Sequence, residues 1–121
     1  RDEIAKTKPY KGNRINAPKP SRYHEIREYL QDRFNAEVVN GIEADDKVAM
    51  LHRPGESVVC SIDKDFLQLP GHHFNWRKEV FFMVSEEDAR RNFWMQVLTG
   101  DVTDNIPGLF GCGPVTANTF G

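Results

Sequence analysis

The chain has 121 residues, of which 39% are hydrophobic and 28% charged, enough for one modest domain and too apolar for wholesale disorder. No apolar run approaches the ~20 residues that cross a bilayer, and the opening RDEIAKTKPY lacks the apolar centre of a secretory signal, so a cytoplasmic protein is expected. The net charge of −2 argues against a uniformly basic nucleic-acid binder but conceals an asymmetry. Residues 1–40 hold nine Lys/Arg against six Asp/Glu, and residues 41–121 hold seven against twelve, as suits a protein that grips a phosphate backbone at one place and cations at another.

Residues 1–20 carry Pro9, Pro18 and Pro20 in a lysine-rich stretch without apolar period and read as a basic loop. From Ser21, a candidate N-cap, Tyr23, Ile26, Leu30 and Phe34 recur at helical spacing and predict a helix ending near Asn35. AEVV, 36–39, is a short strand candidate. In IEADDKVAMLHR, Ile42, Val48, Ala49 and Met50 predict a second helix that Pro54-Gly55 must end. SVVCSI, 57–62, reads as a strand buried on both faces, as in a parallel sheet, with Cys60 as a small buried thiol. EVFFMV, 79–84, reads as another strand, paired with HHFNW in a hairpin around Arg77-Lys78. Ser85 with Asp88 resembles a capping box opening a helix through Leu98, which Phe93, Trp94, Met95, Val97 and Leu98 make apolar on most sides and hence a core helix. This alternation predicts an α/β fold. Cys60 and Cys112 are isolated, with no zinc-like Cys/His spacing, and His24, His52, His72 and His73 read as surface or packing residues.

Acid is concentrated in three segments: EADD with Glu43, Asp45 and Asp46, SIDKD with Asp63 and Asp65, and GDVTD with Asp101 and Asp104. Each alone has a structural explanation. Carboxylates suit the first turn of a helix, an Asp after a strand can turn the chain, and Asp101 with Asp104 could cap the following helix. Asp63, however, sits at the carboxyl end of an apolar strand, where α/β sheets bind ligands. Seven carboxylates converging without cations would repel and raise one another's pKa, a cost that divalent metal removes. Oxygen-only donors at loose spacing suit Mg²⁺ or Mn²⁺, and two such ions about 4 Å apart can clamp the attacking and leaving oxygens of a phosphodiester displacement. The sequence shows no contiguous EF-hand pattern for calcium. IPGLFGCGPVTA fits a helix-hairpin-helix: Gly108, Gly111 and Gly113 permit tight backbone geometry, and Pro114 suits the first helical position. Amides in such a turn can hold a backbone phosphate without reading sequence.

Together RDE…YKGNR, GIEADD, SIDKDFLQL and LTGDVTDNIPG…GPVTA resemble the 5'-nuclease family of flap endonucleases and 5'→3' exonucleases, in that family's order and approximate spacing and essentially from end to end. The short single helix between VFFMV and TGD is more similar to the free-standing phage enzymes than to the form fused to DNA polymerase. The resemblance implies a partial PIN-like α/β domain, with a mostly parallel sheet flanked by helices and a terminal helix-hairpin-helix. It assigns Glu43, Asp45, Asp46, Asp63 and Asp65 to metal binding, directly or through water, and associates Asp101 and Asp104 with a second ion. It places Tyr10, Lys11 and Arg14 in an arch over the scissile phosphate, where Lys11 and Arg14 would stabilise developing negative charge. Arg1 matches the arginine of the family's FR pattern, and Arg1, Tyr10 and the hairpin glycines Gly108, Gly111 and Gly113 are implied to contact DNA. Two Mg²⁺ or Mn²⁺ ions are implied, with K⁺ at the hairpin. Two departures stand out. The family opens with a strand bearing an Asp and has a second acidic position before the matched arginine, so this chain is expected to be truncated at its N-terminus. Val115 also stands where the family often has Lys, which removes one phosphate contact.

The expected organisation is a basic arch over 1–20, a metal-binding α/β nuclease core over 21–98 and the hairpin motif over 99–121. The expected activity is two-metal hydrolysis of DNA bearing a 5' end or flap, extending to RNA paired with DNA, by a monomer acting in replication or repair, although the piece in isolation could be inactive. The rivals are a non-catalytic helix-hairpin-helix module whose acids only cap helices, and a different metal phosphoesterase with a similar acidic pocket.

Overall fold

The computed structural model describes residues 18–120, in two compact units that lie within Asn16–Leu51 and His52–Gly121. No helix among the described residues is long and apolar enough to cross a membrane.

The first unit holds two helices. Helix α1, Tyr23–Phe34, follows the predicted apolar spacing and ends where Asn35 turns left-handed at φ 51°, returning its N–H to the Leu30 carbonyl. Its N-cap is Arg22 and not Ser21, with no side-chain cap bond; Tyr23 N–H to Pro20 O, 3.1 Å, closes the turn instead. AEVV forms no strand, because a strand exists through its ladder and none of the ladders among the described residues includes it. Helix α2, Ala44–Leu51, stops short of Pro54 as a proline requires. Lys47 pairs with Glu37 at 3.4 Å.

The second unit is built on a three-stranded sheet in the order β1-β2-β3, comprising β1 Val58–Cys60, β2 Gly71–Asn75 and β3 Val80–Val84. β1 and β2 run parallel, Val58 opposite His72 and Cys60 opposite Phe74. β3 returns antiparallel through the predicted hairpin, where Asn75 Oδ1 accepts from the N–H groups of Arg77 and Lys78. β1 is buried on one side only. Val59 faces inward while Val58 and Cys60, pointing the opposite way on the pleat, are exposed, so the buried thiol is Cys112 and not Cys60. Both thiols are free. His52 and His73 are buried packing residues, as their sequence setting suggests. His52 Nε2 donates to Pro70 O and its Nδ1 accepts from Ser57 Oγ, both at 2.8 Å, while His73 Nε2 donates to Leu69 O at 2.9 Å and its ring stacks on Phe82.

Helix α3, Glu86–Thr99, begins at Ser85, whose Oγ accepts from Asp88 N–H at 3.0 Å and donates to Asp88 Oδ2 at 2.7 Å. It is not the core helix its composition suggests. Ala89 is its one buried residue, and Phe93, Trp94 and Val97 are exposed. Its contact with the 3₁₀ turn Lys64–Gln68 is polar, since Asn92 Nδ2 donates to Leu67 O at 3.0 Å and Gln96 meets Gln68 and Asp65.

Gly100, at φ 73°, ends α3 and starts the two-residue strand β4, Gly100–Asp101, which pairs antiparallel with β5, Ile106–Pro107. Here the backbone crosses itself. A Cβ on Gly100 would lie 2.3 Å from Gly108 N, and one on Gly108 would lie 2.3 Å from Thr99 C. The short helix α4, Pro114–Ala117, follows, with Gly113 at its N-cap and Pro114 in its first turn.

Candidate metal centre

Two of the acidic segments meet beside α3. Asp63 follows β1 at its carboxyl end and caps the 3₁₀ turn, its Oδ1 accepting from Asp65 N–H at 3.1 Å. Asp65 sits inside that turn, half-buried. Burial pushes its carboxyl above the usual aspartate range, and the charges of Asp63 and Asp101 push it further, against a hydrogen bond from Gln96. Asp101, on β4, is only 6% exposed. Burial would raise its pKa, but the Lys64 ammonium 3.0 Å from Oδ2 and the Thr103 N–H 2.7 Å from Oδ1 outweigh burial and hold it below the usual range. The bond to Asp101 in turn raises the Lys64 pKa.

The link between the two acids is an amide. Gln96 Nε2 lies 2.6 Å from Asp65 Oδ1 and 3.5 Å from Asp101 Oδ2, and Gln96 Oε1 accepts from Gln68 Nε2. A cleft of about 170 Å³ lined by Lys64, Leu67, Asn92, Met95, Gln96 and Thr99 opens here. A larger one of about 310 Å³, lined by Arg90, Arg91, Trp94 and Leu98 of α3 with Ala117 and Asn118, contains neither of the acidic segments.

Asp104 contributes a backbone hydrogen bond to the Asp101 carboxylate, so Asp101 also caps the turn that follows it. Glu43, Asp45 and Asp46 belong to the first unit, at the start of α2, where Asp46 Oδ2 accepts from Glu43 N–H at 3.3 Å and Asp45 Oδ1 from Asp46 N–H at 3.0 Å. These are helix-start bonds of the expected local kind. Gly111 takes φ 75°, and a Cβ on Gly111 or Gly113 would meet open space, whereas Gly108 is packed against the end of α3. Arg1, Tyr10, Lys11 and Arg14 lie outside the described residues.

Among the described residues no group of three or more His, Cys, Asp or Glu side chains is gathered closely enough to hold a metal ion. The Asp65–Asp101 pair nevertheless fits Mg²⁺ or Mn²⁺. Mg²⁺ characteristically takes one or two carboxylates, keeps several waters and completes its shell with substrate phosphate, a demand two hard oxygen donors meet. Lys64 and Gln96, which hold these acids, and Gln68, which holds Gln96, stand outside the acidic pattern that marks the site in the sequence. The available signal is Asn92 with Gln96, a polar pair at i, i+4 in an otherwise apolar stretch of α3, marking a helix face that docks on polar groups.

No protein-family model matches the sequence. The exonuclease of Escherichia phage T7 is 30% identical over 121 residues, covering 92% of this chain and 40% of that protein. Flap endonuclease Xni of Shewanella sp. strain MR-4 is 30% identical over 127 residues, covering 89% of this chain and 48% of that protein. Among solved structures, the T5 D15 protein co-crystallized with metal ions superposes with a TM-score of 0.68 at 23% identity, covering 92% of this chain and 52% of that one. The chain spans less than half the length of the curated relatives it matches. The fold is thus an α/β fold of the T5 kind, in which the acidic segments after β1 and after α3 meet. By sequence the chain is a homologue of this phage exonuclease and this bacterial flap endonuclease.

Proposed function

We propose that the protein is a divalent-metal-dependent 5'-nuclease that hydrolyses phosphodiester bonds in DNA with a 5' end or flap, and in RNA paired to DNA, acting as a monomer in replication or repair. The observation that carries this reading is the convergence of Asp65 and Asp101, from two separate acidic segments, on a single amide nitrogen. Asp65 and Asp101 would hold one Mg²⁺ or Mn²⁺ ion, with Asp63 and Asp104 joining through water. Glu43, Asp45 and Asp46 would also bind metal, directly or through water, as the resemblance implies. When bound, such ions activate water and stabilise charge on the attacked phosphate. The chain's own part is to place the donors: the 3₁₀ turn after β1 presents Asp63 and Asp65, and the crossed backbone at Gly100 and Gly108 presents Asp101. Lys11 and Arg14 would neutralise phosphate charge, and the amides around Gly108, Gly111 and Gly113 would hold the backbone, with K⁺ as a bridging cation and with contacts from Arg1 and Tyr10.

The test is hydrolysis of a 5'-labelled flap duplex by the full-length protein. Cleavage should require Mg²⁺ or Mn²⁺ and fall about 100-fold or more in Asp65→Asn and Asp101→Asn, as loss of a metal ligand demands. Equal cleavage in excess chelator would overturn the reading. One observation favours a second reading, in which the hairpin binds DNA without catalysis: Asp46, Asp63 and Asp101 each cap a helix or turn. That reading requires DNA binding with no Mn²⁺ uptake sensitive to these carboxylates.

A further inference from the structure

Gln96 sits where α3 docks on the 3₁₀ turn and faces two carboxylates at once. Ionised carboxylates only accept hydrogen bonds, so an amide facing two of them must turn its nitrogen inward, and Gln96 does so toward both Asp65 and Asp101. Its oxygen then points away and needs a donor, which Gln68 Nε2 provides from the end of the 3₁₀ turn. The donors on the acids interlock. Asp101 Oδ1 is held by Thr103 N–H, Asp101 Oδ2 is shared between Lys64 and Gln96, and Asp65 Oδ1 is held by Gln96. An apolar side chain at position 96 would leave Asp65 with two like charges nearby and without its amide donor, and the carboxylates would splay.

We propose that Gln96 is a positioning residue that holds Asp65 and Asp101 as a pair ready for one cation, and that Gln68 acts only through Gln96 by setting which end of its amide faces the acids. This rests on the metal-site reading above. Outer partners of metal-ligating carboxylates typically change metal affinity 10–100-fold, so the effect is measurable without substrate.

The experiment is titration of the full-length protein with MnCl₂ alone, followed by calorimetry and by the electron paramagnetic resonance of free Mn²⁺. Gln96→Met, which keeps volume and removes the amide, should weaken Mn²⁺ binding about 10–100-fold. Gln68→Leu should weaken it in the same direction but by less, because the Gln96 oxygen loses the donor that holds the amide in its orientation. The double variant should be no weaker than Gln96→Met, since the two act in series. Asn92→Leu removes a neighbouring bond from α3 to Leu67 O but touches neither acid, and should bind Mn²⁺ like the parent. An Asn92→Leu loss equal to that of Gln96→Met would overturn the inference by reducing Gln96 to a docking contact. Additive losses in the double variant would overturn the serial role of Gln68. If Asp101→Asn loses an ion while Gln96→Met binds within about twofold of the parent, the positioning role falls and the metal site stands. If Asp101→Asn itself changes nothing, the metal reading falls and takes this inference with it.

Discussion

Asp101 keeps its charge in a buried place because Lys64 and the Thr103 N–H reach it, and that arrangement fixes how stability responds to pH. With its folded pKa lowered, Asp101 contributes stability that is present above its unfolded pKa and lost as pH falls through the folded value. Lys64, with its pKa raised, contributes stability below the ordinary lysine value that is lost as pH rises through its folded value. Asp65 has the opposite sign to Asp101. Its raised pKa means that ionising it costs stability, and the cost develops as pH rises from the ordinary aspartate value through the raised one. The Lys64 side chain is 63% exposed, so Lys64→Met should cost no more than about 1 kcal/mol at neutral pH. That cost should vanish in acid once Asp101 is protonated. Metal-free Asp65→Asn should be as stable as the parent or more so at neutral pH, the usual sign of a group kept for function. Urea denaturation at neutral and acidic pH checks both, and a Lys64→Met deficit that persists unchanged in acid would contradict the pairing.

At the level of elements, the corner between α3 and α4 makes four glycines unequal. Gly100 and Gly108 sit where the backbone crosses itself, each with a backbone atom 2.3 Å from any added Cβ, and Gly100 also needs φ 73°. Alanine at either should cost about 3 kcal/mol or more, the scale of a forced backbone shift. Gly111→Ala meets open space at φ 75° and should cost only the left-handed strain of about 1–2 kcal/mol. Gly113→Ala, at φ −87° and in open space, should be close to neutral. Denaturation midpoints for the four variants check this order, and a Gly113 deficit equal to that of Gly108 would refute it. The same corner shows what sequence can carry. Ser85 with Asp88, the Arg77-Lys78 turn and the spacing in α1 were legible because caps, turns and helical periods are local. AEVV and the faces of α3 and β1 were not, because a strand needs a partner and a helix face is buried only by what packs on it. The acids were visible as clusters, while the amide joining two of them depends on the 3₁₀ turn meeting α3, which no local pattern encodes.

Across the whole molecule the buried side chains are unevenly distributed, and stability should follow them. Val59, Val84, Ala89, Cys112 and Ala117, with His52 and His73, make up the buried packing residues among those described, and all belong to the His52–Gly121 unit. Neither α1 nor α2 buries a residue, and Ile26, Leu30, Phe34, Met50 and Leu51 are exposed. Helices of 12 and 8 residues are marginal in water on propensity alone, since nucleation costs more than so few hydrogen bonds return. Strand β2, in contrast, is bonded to β1 on one side and β3 on the other and carries the buried His73. Opening it requires disrupting the sheet, whereas α1 and α2 can fray at little cost. Amide hydrogen exchange of the metal-free protein should therefore find β2 amides exchanging more slowly than those of α1 and α2 by roughly two orders of magnitude. Asp63 and Asp65, carried by the turn between β1 and β2, should sit beside the protected region, and Glu43, Asp45 and Asp46, at the start of α2, in the fast-exchanging one. Divalent metal that binds both groups of acids should then slow exchange in α2 more than in β2, because a ligand lends most protection where local opening is cheapest. Equal protection of α2 and β2 before metal is added would show that the first unit has support beyond its own helices and would remove the basis for this ordering.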